Sequence, residues 1–208
     1  MTSIVTRMEN PSAFALQRVT ALLSALVLTL CTASPLHAQP PPKESVAPKV
    51  PTPTSIVDEI LALGNVGASD YVVDLGSGDG RIVIAAVAKN HARGGFGVDI
   101  DSTMVTLSNE NAAKAGVADR VRFYERDLFE TDVSEATVVT VYLLPSIMGK
   151  VEKKLLAELK PGTRVVVHDF PFPDWKPEKA ILVDSLDKIK VTGFALSQLY
   201  LYRVPERK

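Results

Sequence analysis

Between Tyr71 and Lys89 an apolar run, Tyr71 to Leu75, gives way to Gly76-Ser77-Gly78-Asp79-Gly80 and then to Arg81 to Lys89, rich in Ile, Val and Ala. Glycine enters backbone conformations closed to other residues and lets a ligand approach the main chain closely. A buried strand that breaks into such a turn and restarts as a helix is the repeating unit of a parallel sheet, and its loop and helix N-terminus face a ligand at the carboxyl edge of the strands. The pattern recurs. Strands are expected at Phe96–Ile100, Val121–Glu125, Thr137–Leu143 and Arg164–Phe170, with helices at Ser102–Ala115 and Ile147–Leu159. A helix opened by Ser55 and Asp58 as a capping pair and closed by Gly64 should precede the first strand. After Trp175 no helical period continues, and Ala180–Val183 and Leu199–Val204 read as antiparallel strands that complete a seven-stranded α/β sheet with helices on both faces.

The turn also excludes ligand classes. The dinucleotide fingerprint requires glycine where Arg81 stands, and no lysine follows the turn as a triphosphate cradle would need. Lys and Arg number 23 against 24 Asp and Glu, so the chain as a whole carries no electrostatic footprint for nucleic acid, and no basic stripe with interleaved aromatics is evident. One cysteine, Cys31, and three scattered histidines, His37, His91 and His168, give no zinc spacing, so no metal is expected.

Residues 19–33 form an uncharged run behind Arg7 and Arg18, followed by small residues, which reads as a secretory signal occupying residues 1–38 with cleavage after Ala38. Its fifteen residues fall short of the ~20 that span a bilayer, so export, to a periplasm, is expected over the alternative of an uncleaved membrane anchor. Six prolines within residues 39–54 mark a linker, leaving residues 55–208 for one folded domain.

Asp74-Leu75-Gly76-Ser77-Gly78-Asp79-Gly80-Arg81 resembles the first motif of the seven-stranded, Rossmann-like methyltransferases that use S-adenosyl-L-methionine. The resemblance implies that Asp74, Gly76, Ser77, Gly78 and Gly80 shape the cofactor loop. Asp99, at the end of the second strand, would hold the ribose hydroxyls, and Asp127 with Leu128, after the third, the adenine. A closer resemblance runs from about Val50 to Pro205, through VPTPTSIVDEIL, VDLGSGDGRIVIAA, VYLLPSIMGKVEKKLLAELKPGTRVVVHDFPFPDW and LYLYRVP. These segments are similar to the small methyltransferases related to mitochondrial protein-lysine methyltransferases. That implies a protein partner bearing the target lysine.

Methyl transfer from a sulfonium is a direct displacement, so the enzyme chiefly aligns a nucleophile and excludes water. Tyr142 to Pro145, ending the fourth strand, sit where this fold places the acceptor. Tyr142 could orient an amine or belong to the core, and Pro145 could line the site or simply start the next helix. His168 and Asp169, ending the fifth strand, could relay the amine proton or pair with the following loop. Arg81 could reach the cofactor carboxylate or only open its helix. The aromatics of Phe170 to Trp175 could wall the acceptor or flap over the sheet edge. Two other functions stay open on this scaffold: methylation of a small molecule, and an exported cofactor-binding protein without catalysis.

Overall fold

The computed structural model describes residues 51–193 and 195–207, so the expected signal segment and most of the proline-rich stretch lie outside the described residues. The elements are α1 (Thr54–Leu63), β1 (Tyr71–Leu75), α2 (Arg81–Ala88), β2 (Gly94–Asp99), α3 (Ser102–Lys114), β3 (Val121–Glu125), β4 (Val138–Val141), α4 (Met148–Glu158), β5 (Arg164–His168), β6 (Lys179–Asp184), α5 (Leu186–Thr192) and β7 (Leu196–Arg203). Among the described residues one sheet runs in the order β3-β2-β1-β4-β5-β7-β6, with β1 to β5 parallel and β7 antiparallel to both β5 and β6. The order reverses between β1 and β4, so the crevice for a ligand opens at the carboxyl ends of these strands.

Strands covered on both faces can read as unbroken apolar runs. Val72, Val138, Val166 and Leu199 face a core shared with α1 and α2, whereas Val73, Val139, Val165 and Tyr202 face a core shared with α4. Over β1, β2 and β3 the second face is dressed by a ladder of half-buried or exposed rings, Tyr71, Phe96 and Tyr124, with Arg93 and Arg126 stacked on its two ends. Strand pairing thus assembles a basic and aromatic stripe that the linear sequence does not display.

Two expectations are corrected. Ser55 does not cap α1: Pro53 is the N-cap, with no side-chain bond, and the Ser55 hydroxyl bonds instead to the Ser185 hydroxyl at 2.9 Å. Helical structure also resumes after Trp175, because α5 links β6 to β7 and ends at Gly193, whose φ of 77° only glycine adopts readily. Seven residues are too few to display a helical period, and on α5 Leu186 and Ile189 point outward.

Candidate functional site

The amides of Gly76 and Ser77 both donate to the Val98 carbonyl, at 2.9 and 3.0 Å, folding the loop back over β2. That contact leaves no space beneath. A Cβ on Gly97 would lie 2.4 Å from Ser77 Cβ, and one on Gly80 would lie 2.6 Å from the Phe123 ring. Above the loop the situation is opposite, for Gly78 has φ of +50° and a Cβ there would meet nothing within 4 Å. Ser77 Oγ is buried without a hydrogen-bond partner, an orphan that wants a polar ligand atom.

Asp99, 8% exposed, ties this cradle to the next strand end: Oδ2 accepts the Gly78 amide at 2.9 Å and Oδ1 the Asp101 amide at 3.0 Å. Asp127 Oδ1 accepts the Phe129 amide at 2.9 Å and so starts the 3-10 turn Leu128–Glu130, with Leu128 buried below. Asp74 lies buried beneath the loop and takes a 2.6 Å hydrogen bond from the Thr140 hydroxyl. Burial pushes its pKa up to about 7, Asp99 and Asp79 add to the rise, and the Thr140 bond opposes it. Arg81 is committed to protein partners: it grips Asp79 through Nε and a terminal nitrogen, at 2.8 and 2.5 Å, and donates to the Thr52 carbonyl at 2.6 Å. Its role is to fix the loop. An open cradle, an orphan hydroxyl and acidic groups at two successive strand ends suit a cofactor with a ribose diol and an adenine amine.

The acceptor side follows from strand register. Leu75 pairs with Val141 and Val141 with Val167, so Gly76, Tyr142 and His168 follow in step on adjacent strands about 4.8 Å apart. His168 is 1% exposed, with Nε2 2.9 Å from Ser197 Oγ, Nδ1 3.4 Å from Thr52 Oγ1 and the Tyr142 ring against it, tilted by 32° with centroids 4.1 Å apart. Burial lowers its pKa to about 4, Asp169 opposing and Lys188 reinforcing the shift. It is therefore a neutral imidazole enclosed by Ser197, Thr52 and Tyr142, with Nε2 also 3.5 Å from Asp169 Oδ2. Asp169, at φ of 60°, accepts the Gln198 amide through Oδ1 at 3.0 Å and the Lys188 ammonium through Oδ2 at 2.8 Å. Tyr142 is half-buried, its pKa pushed up to about 12 by burial, by the Asp169 charge and by a hydrogen bond to that carboxylate.

Pro145 is exposed and begins the 3-10 turn Pro145–Ile147 that leads into α4, so it is a helix starter rather than a lining residue. Phe172 and Trp175 pack with Tyr202 in the core, whereas Phe170 stacks on Tyr142 at 6.3 Å and stays beside the acceptor edge. Thr52, Ser185, Lys188 and Ser197 complete the site without any motif to announce them, because their contacts to His168, Ser55 and Asp169 bridge 116, 130, 19 and 29 positions.

Residues 74–179 match the family model of the ANTKMT methyltransferase domain. The chain belongs to this family. A protein-lysine N-methyltransferase of Saccharolobus islandicus is 39% identical over 77% of this chain and 96% of its own length. An adenine nucleotide translocase lysine N-methyltransferase of Mus musculus is 37% identical over 64% of this chain, and the match spans 57% of that longer protein. A crystal structure described as an RNA methyltransferase of Salinibacter ruber in complex with S-adenosyl-L-homocysteine is 45% identical, with a TM-score of 0.68, over 76% of this chain and 96% of that one. The matched span thus runs from the buried Asp74 through the cradle to the first residue of β6. Among the described residues no three His, Cys, Asp or Glu side chains gather as a metal site, and no helix is long and apolar enough to cross a membrane.

Proposed function

We propose that the protein transfers a methyl group from S-adenosyl-L-methionine to a lysine ε-amine of another protein. Gly76, Ser77, Gly78, Asp99 and Asp127 hold the cofactor, and Tyr142 with Asp169 receives the amine. When bound, the cofactor supplies a methyl group activated on sulfur. The chain supplies position, dryness and charge.

One observation carries the choice of acceptor. Beside the glycine cradle the Asp169 carboxylate lies next to the Tyr142 phenol and already holds a lysine ammonium, that of Lys188 at 2.8 Å, so the group at this edge is one that binds a primary ammonium and offers nothing to a phosphodiester. The kinship with lysine methyltransferases supports the same reading. A second reading, an RNA acceptor, draws on the Salinibacter ruber structure and on the ladder of Tyr71, Phe96 and Tyr124 with its two stacked arginines, a surface on which bases could stack.

One experiment separates them. Methyl-labelled cofactor is incubated with the protein and an extract of its source cell, and the products are digested with protease or nuclease before mass spectrometry. Label in protein as methyl-lysine is expected, label in nucleotides would establish the RNA reading, and no label with a folded protein that binds the cofactor would overturn both. Export remains part of the proposal on the strength of residues 1–38, and N-terminal sequencing of the mature protein from its host tests it.

A further inference from the structure

Helix α5 is built inside out. Leu186 and Ile189 are 74% and 43% exposed, yet Lys188 between them is 6% exposed. A short surface helix gains most by burying its leucines and hydrating its lysine, so the arrangement sacrifices apolar burial and desolvates a charge. Local choices that run against the fold in this way mark functional positions. The buried ammonium is held by Asp169 Oδ2 and by the Leu196 carbonyl, each at 2.8 Å, with the Asp169 side chain 19% exposed. Asp169 in turn is placed by a left-handed backbone and by its bond from the Gln198 amide, and it borders the Tyr142 hydroxyl. Both accepting oxygens would be satisfied equally by the ammonium of another lysine. With Leu186 and Ile189 turned outward, these side chains contribute little packing to hold the helix, so its displacement costs little.

We infer that the Asp169 carboxylate and the Leu196 carbonyl form a subsite for a primary alkylammonium, which Lys188 fills in the free protein and yields to the side chain of the acceptor lysine. Lys188 keeps the carboxylate from standing unpaired while no acceptor is bound. Asp169 then selects a lysine over uncharged nucleophiles, and the bound ammonium gives up a proton to solvent before its nitrogen lone pair displaces the methyl group from sulfur. The role rests on the lysine reading above, but the subsite can be probed without cofactor or acceptor.

The full-length Lys188→Ala chain should regain what it lost from n-butylammonium, which copies the removed side chain. Its melting temperature should rise by about 2–4 °C over a choline control at equal ionic strength, the response of a chain this size to ligand at about five times its Kd. The wild-type chain, with the subsite filled, and the Asp169→Asn/Lys188→Ala chain, with no carboxylate, should show no such rise. If Lys188→Ala does not fold, Lys188→Gln, too short to reach both oxygens, serves in its place. Equal responses in all chains, or none in the lysine variants, would overturn the subsite. Methyl transfer to lysine with no amine response would remove the subsite and spare the proposed function; an amine response with label found only in RNA would do the reverse.

Discussion

Gly78→Ala and Gly116→Ala form a matched pair that separates cofactor binding from folding. Both glycines have left-handed φ, +50° and +69°, and a Cβ at either would meet no atom within 4 Å. With no clash to relieve, each substitution costs only the conformational penalty of an L-residue there, about 1–2 kcal/mol. For a domain of this size the melting temperature should fall by about 2–8 °C in both. Their surroundings differ. Gly116 follows the carboxyl end of α3, about 20 Å of helix away from Asp101 at its capped start. At Gly78 the open space is the cradle, and its amide carries the bond to Asp99. An added methyl there occupies volume the cofactor needs, so affinity for S-adenosylmethionine and its demethylated product should drop at least tenfold, about 1.4 kcal/mol, while Gly116→Ala binds like wild type. Titration calorimetry on both folded variants reads this directly. Wild-type affinity in Gly78→Ala would remove the cofactor from the face of this loop, and a matching loss in Gly116→Ala would show that the effect is only global destabilisation.

Asp99→Asn turns one of two accepting oxygens into a donor facing the Gly78 or Asp101 amide, and calorimetry should find cofactor affinity lowered by about 1.5–3 kcal/mol. Tyr142→Phe removes a hydroxyl beside Asp169, so steady-state rates should fall about 5- to 30-fold with cofactor affinity unchanged; a weakened cofactor complex would instead place Tyr142 in the cofactor site. His168, with a folded pKa lowered to about 4 from 6.5, contributes stability that is full above pH 6.5 and lost toward pH 4, whereas Asp74, raised to about 7 from 3.8, contributes stability present at pH 4 and lost as pH rises to 7. Melting curves should therefore show Asp74→Asn losing more stability than wild type on acidification from pH 7 to 4 and His168→Gln losing less, and parallel pH profiles would refute the assignment.

The cofactor half of the site was legible because its geometry is local. Gly76, Gly78 and Gly80 announce a turn that only glycines can make, and Asp99 and Asp127 are found by counting to the ends of strands whose apolar runs are plain in the sequence. The boundaries there shift by no more than a few residues. The acceptor half resisted because its geometry is tertiary. His168 meets Thr52 and Ser197 only across long stretches of chain, and the burial of Lys188 arises only because β7, entering between β5 and β6, brings Leu196 beside it. Ser55 is the same lesson on a smaller scale, for the capping pattern is real but the residue's partner stands 130 positions away.

Thr52 shows how the two halves are joined. Its carbonyl receives Arg81, which is locked to Asp79 in the cofactor loop, and its hydroxyl faces His168 beneath Tyr142 on the acceptor side. Three residues on, Ser55 reaches Ser185 at the start of α5. The strap is held cheaply, since Pro51 and Pro53 flank Thr52 and restrict the unfolded chain, and Pro53 at φ −57° is already in the conformation that opens α1. A cofactor loop fixed through Arg81 and a helix start fixed through Ser55 therefore share one short segment, residues 52–55, which ties the cofactor loop to the acceptor edge. Helix α5 meets that strap through the Ser55–Ser185 bond, whereas the start of β7 is held by backbone pairing to β6 and by Ser197 on His168.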